Sequence, residues 1–281
     1  MEIIEKIIDV KSYVTKSNVP VSDFSINPYI CCPHACKYCY ASFMKRFTGH
    51  SEEWGTFVDI KRCDSPIHTT KLEDKSIFLS SVTDCYNQLE EKYCVTRKIL
   101  EQLVPVRCHI SISTKSSLIL RDIELLKQCK NLEVAVSINT LDEKFRSDMD
   151  KASSINDRLR TLKELNKNGI YTILFMSPVF PVVTDFKAII AQTHDFVNEY
   201  WFENLNLRGG YKRTILSYIE HEYPHLKDLY HDIYIEGKKD YWIDLSVEIE
   251  NYCRINGIEH NNYFYHKELV EARKQGLTLR R

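Results

Sequence analysis

Four of the ten cysteines fall within nine positions, in the stretch CCPHACKYCYA at residues 31–41. Cys32, Cys36 and Cys39 have CxxxCxxC spacing, and Cys31 stands one residue out of step with it. Thiolates are soft ligands suited to iron–sulfur clusters or to zinc. A structural zinc site usually takes four protein ligands arranged as two pairs. No second CxxC or paired Cys/His motif occurs in the sequence. Three cysteines on one short loop instead suit a 4Fe-4S cluster with one iron left open. Two other readings stand beside it: a zinc site completed by His34 or Cys31, and a redox switch. A non-catalytic metal-binding module that pairs with another protein would use the same residues.

The chain is 281 residues long, enough for one large α/β domain with an ample buried core. Its ten cysteines lie in a long chain whose start, MEIIEKIIDVKSY, lacks the basic region and small-residue cleavage site of an export signal. Metal ligands and plain thiols are therefore expected rather than disulfides, and a cytoplasmic location with them. No apolar run approaches the roughly 18–20 residues of a membrane helix. The net charge of −1 offers no basic excess for nucleic acid, so DNA is not a favoured partner.

Six short apolar runs alternate with helical stretches between residues 22 and 208. The runs are DFSINPYI (23–30), SIFLSSV (76–82), VRCHISIS (106–113), LEVAVSIN (132–139), IYTILFMSP (170–178) and YWFENLNL (200–207). Most are apolar on both faces, as strands buried in a parallel sheet are. The clearest helix is INDRLRTLKELNKNG (155–169), with Leu159, Leu162 and Leu165 at helical spacing and Gly169 at its C-terminal end. Another is expected over 118–129. This alternation predicts a parallel α/β fold, best a partial (β/α)6 TIM-like barrel, with a doubly wound sheet as the alternative. The cysteines then lie on the first loop at the C-terminal edge of the sheet, where such folds place active sites. Residues 1–21 read as an N-terminal extension. Residues 209–281 lose the rhythm and read as a helical, tyrosine-rich extension packed on the core, with tyrosines from Tyr211 to Tyr265. Most of these tyrosines are expected on half-buried helix faces.

CxxxCxxC with Tyr38 before the third cysteine resembles the radical S-adenosylmethionine (SAM) superfamily. Three strand ends sharpen the likeness: VTD at 82–84, STK at 113–115 and VSIN at 136–139. In this order they resemble the spore photoproduct lyase-like branch, over roughly residues 22–208. The resemblance implies a 4Fe-4S cluster on Cys32, Cys36 and Cys39, and SAM chelated by the open iron. It implies reductive cleavage of SAM to a 5′-deoxyadenosyl radical, which abstracts hydrogen from a substrate, here a peptide, a protein or a nucleic acid. A small electron donor of flavodoxin or ferredoxin type would supply the electron, and the chemistry would be oxygen-sensitive. Carried over by position, Tyr38 would border the adenine and Tyr40 the adenosyl group. Thr83, Asp84, Lys115, Ser137 and Asn139 would surround SAM, with Lys115 reaching its carboxylate.

One departure bears on function. Where the lyase carries a hydrogen-donating cysteine, three residues before the aspartate, this chain has Ser81, and a serine O–H is too strong a bond for that task. Cys85 lies four residues after Ser81 and Cys63 ends VDIKRC; either thiol could reach the site, and Cys85 is taken as a catalytic candidate beside Tyr40. Repair of a DNA lesion is therefore not expected.

Overall fold

The computed structural model describes residues 3–19 and 22–264. Tyr265 and the rest of the expected extension beyond residue 264 lie outside the described residues. Eleven strands occur among the described residues: β1 (Ile4–Asp9), β2 (Val14–Lys16), β3 (Phe24–Ile26), β4 (Tyr29–Ile30), β5 (Phe57–Arg62), β6 (Ser76–Leu79), β7 (His109–Thr114), β8 (Asn131–Ser137), β9 (Tyr171–Val179), β10 (Glu199–Asn204) and β11 (His260–Asn262). The main sheet runs β11-β10-β9-β8-β7-β6-β3-β2 and is not closed. Its six central strands pair in parallel and follow sequence order without a reversal. A doubly wound sheet reverses direction at a switch point, and this order never does. The architecture is therefore the open, partial TIM-like barrel that the strand pattern predicts.

Helices cover one face. The crossover after β6 carries α1 (Glu90–Tyr93) and α2 (Val95–Leu103). A 3-10 turn (Ser117–Asp122) and α3 (Ile123–Leu126) follow β7, in place of the continuous helix expected over 118–129. α4 (Glu143–Met149) and α5 (Ile155–Lys167) follow β8, and α6 (Phe186–Thr193) follows β9. α5 is set by its sequence: the Ser154 hydroxyl caps Asp157 N–H, and Gly169 past the end adopts φ +77°. Val134, Val136, Leu174, Met176, Tyr200 and Phe202 bury beneath these helices in one large core. Their alternate neighbours Ala135, Ile173 and Trp201 form a separate small cluster with Phe175 and Tyr263 on the opposite, inner face.

The strand expected over 23–30 is cut in two. Pro28 has no N–H to give a ladder, and β3 ends at Ile26. Asn27 turns aside, donating to the Ser81 hydroxyl at 2.9 Å and accepting Val82 N–H at 3.0 Å. The chain then leaves the barrel, and β4 and β1 both pair with β5 in a second, three-stranded sheet. β1 and β2 belong to sheets, so the N-terminal segment is structured by pairing. Beyond β10 come α7 (Tyr211–Glu222), α8 (Lys227–Tyr234) and α9 (Asp240–Asn256), and β11 then pairs with β10. The tyrosines stitch this segment to the barrel: Tyr230 and Tyr234 donate to Pro181 O and Leu205 O, and Tyr241 accepts Val182 N–H. No helix of the described residues is long and apolar enough to cross a membrane.

Arg158 of α5 is buried and pairs with buried Asp150 at 2.6 Å, while donating to Ser153 O and Ser137 O. Arg158→Ala leaves the buried Asp150 carboxylate with only the more distant Arg146, at 3.7 Å, as a charge partner. It is expected to cost about 3–5 kcal/mol in chemical denaturation, and a loss under about 1 kcal/mol would show that the pair does not matter to the fold.

Candidate functional site

The cysteine loop leaves β4 and lies over the C-terminal ends of the barrel strands. Its backbone is tightly wound: Cys31 and Ala35 take φ of +70° and +47°, and Ala35 N–H and Cys39 N–H close turns on Cys32 O and Cys36 O. Gly55 presses against it. A Cβ added there would stand 2.7 Å from Ala35 Cβ, and Gly55 itself sits at φ +98°. Gly55 N–H donates to Cys31 Sγ at 3.0 Å, so the buried Cys31 thiol turns toward Gly55.

Three further contacts pin the loop to the segment after α4. Lys37 N–H donates to Met149 O, Lys151 N–H to His34 O, and the Tyr38 hydroxyl to Asp150 Oδ2 at 3.2 Å. On the other side His34 Nδ1 lies 3.4 Å from Asp84 Oδ2. Asp84 is buried and also accepts Thr114 Oγ1–H and Lys115 N–H, each at 2.8 Å, from the end of β7. Burial alone would raise this carboxyl, but His34 and the donors around it hold it below the ordinary carboxylate range. Asp84 thus joins the ends of β6 and β7 to the loop. Thr83 adds a second tie, its hydroxyl donating to Cys31 O at 2.7 Å.

Burial, with Asp84 and the neighbouring Cys36 and Cys39 behind it, raises the Cys32 thiol well above its ordinary range. Burial pushes the Cys36 thiol up to about 12, against the pull of Lys115. Burial raises Cys39 as well, against the Trp54 side chain and Lys115. Bare, these thiols stay protonated near neutral pH. A ligand that takes them as thiolates must bring positive charge, which iron does. Among the described residues no three Cys, His, Asp or Glu side chains converge on a single ion position. Ligands to separate irons of one cluster need not meet at a point, and three soft thiolates on one loop are a donor set that suits such a cluster.

Lys115 extends from the end of β7, its ammonium 5.8 Å from the centre of the Tyr38 ring. Tyr38 also packs edge-on against Phe180. Ser137 ends β8 and is buried. Asn139 is buried too, donating to Pro178 O at 3.1 Å and accepting the Thr184 hydroxyl at its carbonyl. The Tyr40 ring is exposed and its hydroxyl donates to Ser81 O. Cys85 is fully buried in the helix-side core, its N–H bonded to the Ser80 hydroxyl and its carbonyl to the Thr96 hydroxyl. Burial raises its thiol far above the ordinary range. Cys63 lies beyond β5, its thiol against Ser65 O.

Some participants carried no sequence signal strong enough to single them out. Gly55 is one of only eight glycines, which is a hint. Arg158 lies in the helical stretch 155–169, and nothing in the sequence pairs it with Asp150. Ser177 and Glu203, at the ends of β9 and β10, hydrogen-bond at 2.5 Å on the inner face. The clue to Glu203 was an acid inside the aromatic run YWFEN.

Residues 26–191 match the family model of the radical SAM superfamily. The chain is similar to an uncharacterized protein of Methanocaldococcus jannaschii, 37% identical over 218 residues that cover 77% of this chain and 83% of that protein. It is also similar to an uncharacterized protein of Acidianus two-tailed virus, 31% identical over 207 residues, 66% of this chain and 68% of that one. Among solved structures, spore photoproduct lyase complexed with dinucleoside spore photoproduct superposes with a TM-score of 0.54 at 15% identity. That superposition covers 78% of this chain and 66% of the lyase chain, and it bears on the fold.

Replacing Gly55 by alanine forces Ala35, and the cysteine turn with it, to move. Gly55→Ala is expected to fold but to hold less than half the wild-type iron after anaerobic reconstitution. Unchanged iron content in the folded variant would show that the loop tolerates displacement.

Proposed function

Because this chain belongs to the radical SAM superfamily, we propose that Cys32, Cys36 and Cys39 hold its cluster and that the barrel mouth binds SAM and an as yet unassigned substrate. The protein is a radical SAM enzyme, and its cofactors are a 4Fe-4S cluster and SAM. When bound, these supply a 5′-deoxyadenosyl radical that removes a hydrogen atom from the substrate. The non-catalytic metal-binding module is not favoured.

The observation that carries the site assignment is the meeting of the cysteine loop and Lys115 at one edge of the sheet, under a single buried brace, Asp84. Lys115 is the cation that meets the SAM carboxylate, and Ser137 and Tyr38 line the same side. Thr83, Asp84 and Asn139 act through the backbone they hold and are positioning residues in this reading. Tyr40 borders the adenosyl end. Ser81 is engaged by Asn27 and Tyr40 and offers no thiol. Cys85, buried behind the Asp84 turn, would serve the reaction only through a change in that turn. The radical chemistry needs a reductant, for which a small flavodoxin- or ferredoxin-like carrier is proposed. A peptide or protein substrate is proposed ahead of DNA, in keeping with the net charge of −1.

Cys36→Ala removes one of three thiolates, and the remaining loop cysteine, Cys31, has its thiol turned toward Gly55. It is expected to abolish both the cluster absorbance and reductant-dependent 5′-deoxyadenosine, and full 5′-deoxyadenosine production by the variant would refute the ligand assignment. Lys115→Met is expected to keep the cluster and weaken SAM binding about tenfold or more, the size of a lost charge-assisted hydrogen bond. Equal SAM affinity, measured by equilibrium dialysis, would remove Lys115 from the SAM site.

A further inference from the structure

We propose that Glu203 and Ser177, set above the aromatic side chains Phe175 and Trp201, form a site for a substrate's cationic nitrogen; this rests on the radical SAM reading and gives its substrate a chemistry. Alternate residues of β9 and β10 face opposite sides of the sheet. Leu174, Met176, Tyr200 and Phe202 enter the helix-side core, whereas Ile173, Phe175 and Trp201 lie on the inner face. Ser177 and Glu203 continue the inner series at the C-terminal ends, where active sites of such barrels sit.

The strand pairing is broken at this point. Phe202 pairs with Met176 but Asn204 with Val179, so Ser177 and Pro178 together oppose Glu203. Such a bulge re-aims a side chain, and bulges are common beside active sites. Asn139 braces it by donating to Pro178 O. The Ser177 hydroxyl then donates to Glu203 Oε2 at 2.5 Å.

A second carboxylate on the same strand gives the contrast. Glu199 accepts the Trp201 indole N–H at 2.7 Å, the Tyr171 hydroxyl at 3.2 Å and the Asn261 amide. It is satisfied within the protein. Glu203 accepts one neutral hydroxyl, and no Lys, Arg or His among the described residues forms an ion pair with it. An ionised carboxylate can accept about four hydrogen bonds. A half-buried one answered by a single hydroxyl favours a ligand that brings charge and several donors, as an ammonium group does. The rings below, Phe175 and Trp201 at 5.6 Å edge-to-face, suit a planar or apolar stem and add attraction for a cation.

The test uses anaerobically reconstituted enzyme with SAM and two probes of one shape, benzylammonium and neutral benzyl alcohol, titrated by calorimetry. Wild type is expected to bind benzylammonium saturably and about tenfold or more tighter than the alcohol, with that preference lost in Glu203→Gln. Equal binding of the two probes to wild type, or a preference unchanged in Glu203→Gln, overturns the proposal. Should Glu203→Gln fail to fold, Ser177→Ala frees the carboxylate from its protein donor and is expected to keep the preference; its loss there overturns the proposal too. The wild-type preparation is first assayed for 5′-deoxyadenosine. A failure at that step counts against the cofactor assignment, and a success followed by no preference counts against Glu203 alone.

Discussion

A single buried carboxylate organises the mouth of this barrel. Asp84 receives Lys115 N–H and Thr114 Oγ1–H from the end of β7, Tyr86 N–H from its own turn, and the His34 ring from the cysteine loop. Taking a charge out of water is costly unless it is well hydrogen-bonded, and Asp84 accepts three hydrogen bonds beside the His34 ring. The requirement works in both directions: the carboxylate needs those partners, and each partner is fixed in place by serving it. The loop's position over the strand ends, and the direction in which Lys115 leaves β7, follow from this one group. Gly55 and the Met149–Lys151 segment hold the loop from the other sides, so its three candidate ligands stand on a surface braced on every flank.

The barrel divides its work between two faces. The outer face is a continuous apolar core under the crossover helices, and it supplies the rigidity. The inner face is only partly apolar, with Ser111, Ser113 and Ser137 on β7 and β8 and the Phe175–Trp201 pair on β9 and β10. One half of the mouth, from β3 to β8, carries the cysteine loop and Lys115. The other half, β9 and β10, carries the bulge and Glu203. A cofactor side and a substrate side on opposite halves of one sheet would bring a reactive group and its target together by topology alone. The tyrosine-rich segment 209–264 closes over the ends of β9 and β10 through hydrogen bonds to Pro181 O and Leu205 O.

Much of this was legible in the sequence, for identifiable reasons. Six strands buried on the helix side leave strong apolar runs, and all six appear in the main sheet. The helix over 155–167 announces its C-terminal end with Gly169, and the structure adds Ser154 as its N-terminal cap. The cysteine spacing is a local pattern and needs no tertiary information. What escaped was non-local or short. β1 and β5 pair across more than fifty residues, and β11 is the polar triplet HNN, which has no apolar period. The Asn27–Pro28 break was visible as a proline, but its outcome, a strand given to another sheet, depended on β5. The role of Asp84 as a brace could not be read from TD alone, because its partners His34, Thr114 and Lys115 come from two distant segments. Glu203 was hidden by its neighbours, since an acid in an aromatic strand reads as an exposed edge until the bulge is seen.

The proposed cluster on this loop leaves one iron open for SAM. Electron paramagnetic resonance of the anaerobically reconstituted, dithionite-reduced wild type tests it most directly, recorded without and with SAM. The expected result is the signal of a reduced 4Fe-4S cluster and a clear change in its g-values when SAM is added. A stable preparation that contains zinc and gives no such signal, or a cluster signal indifferent to SAM, would contradict it.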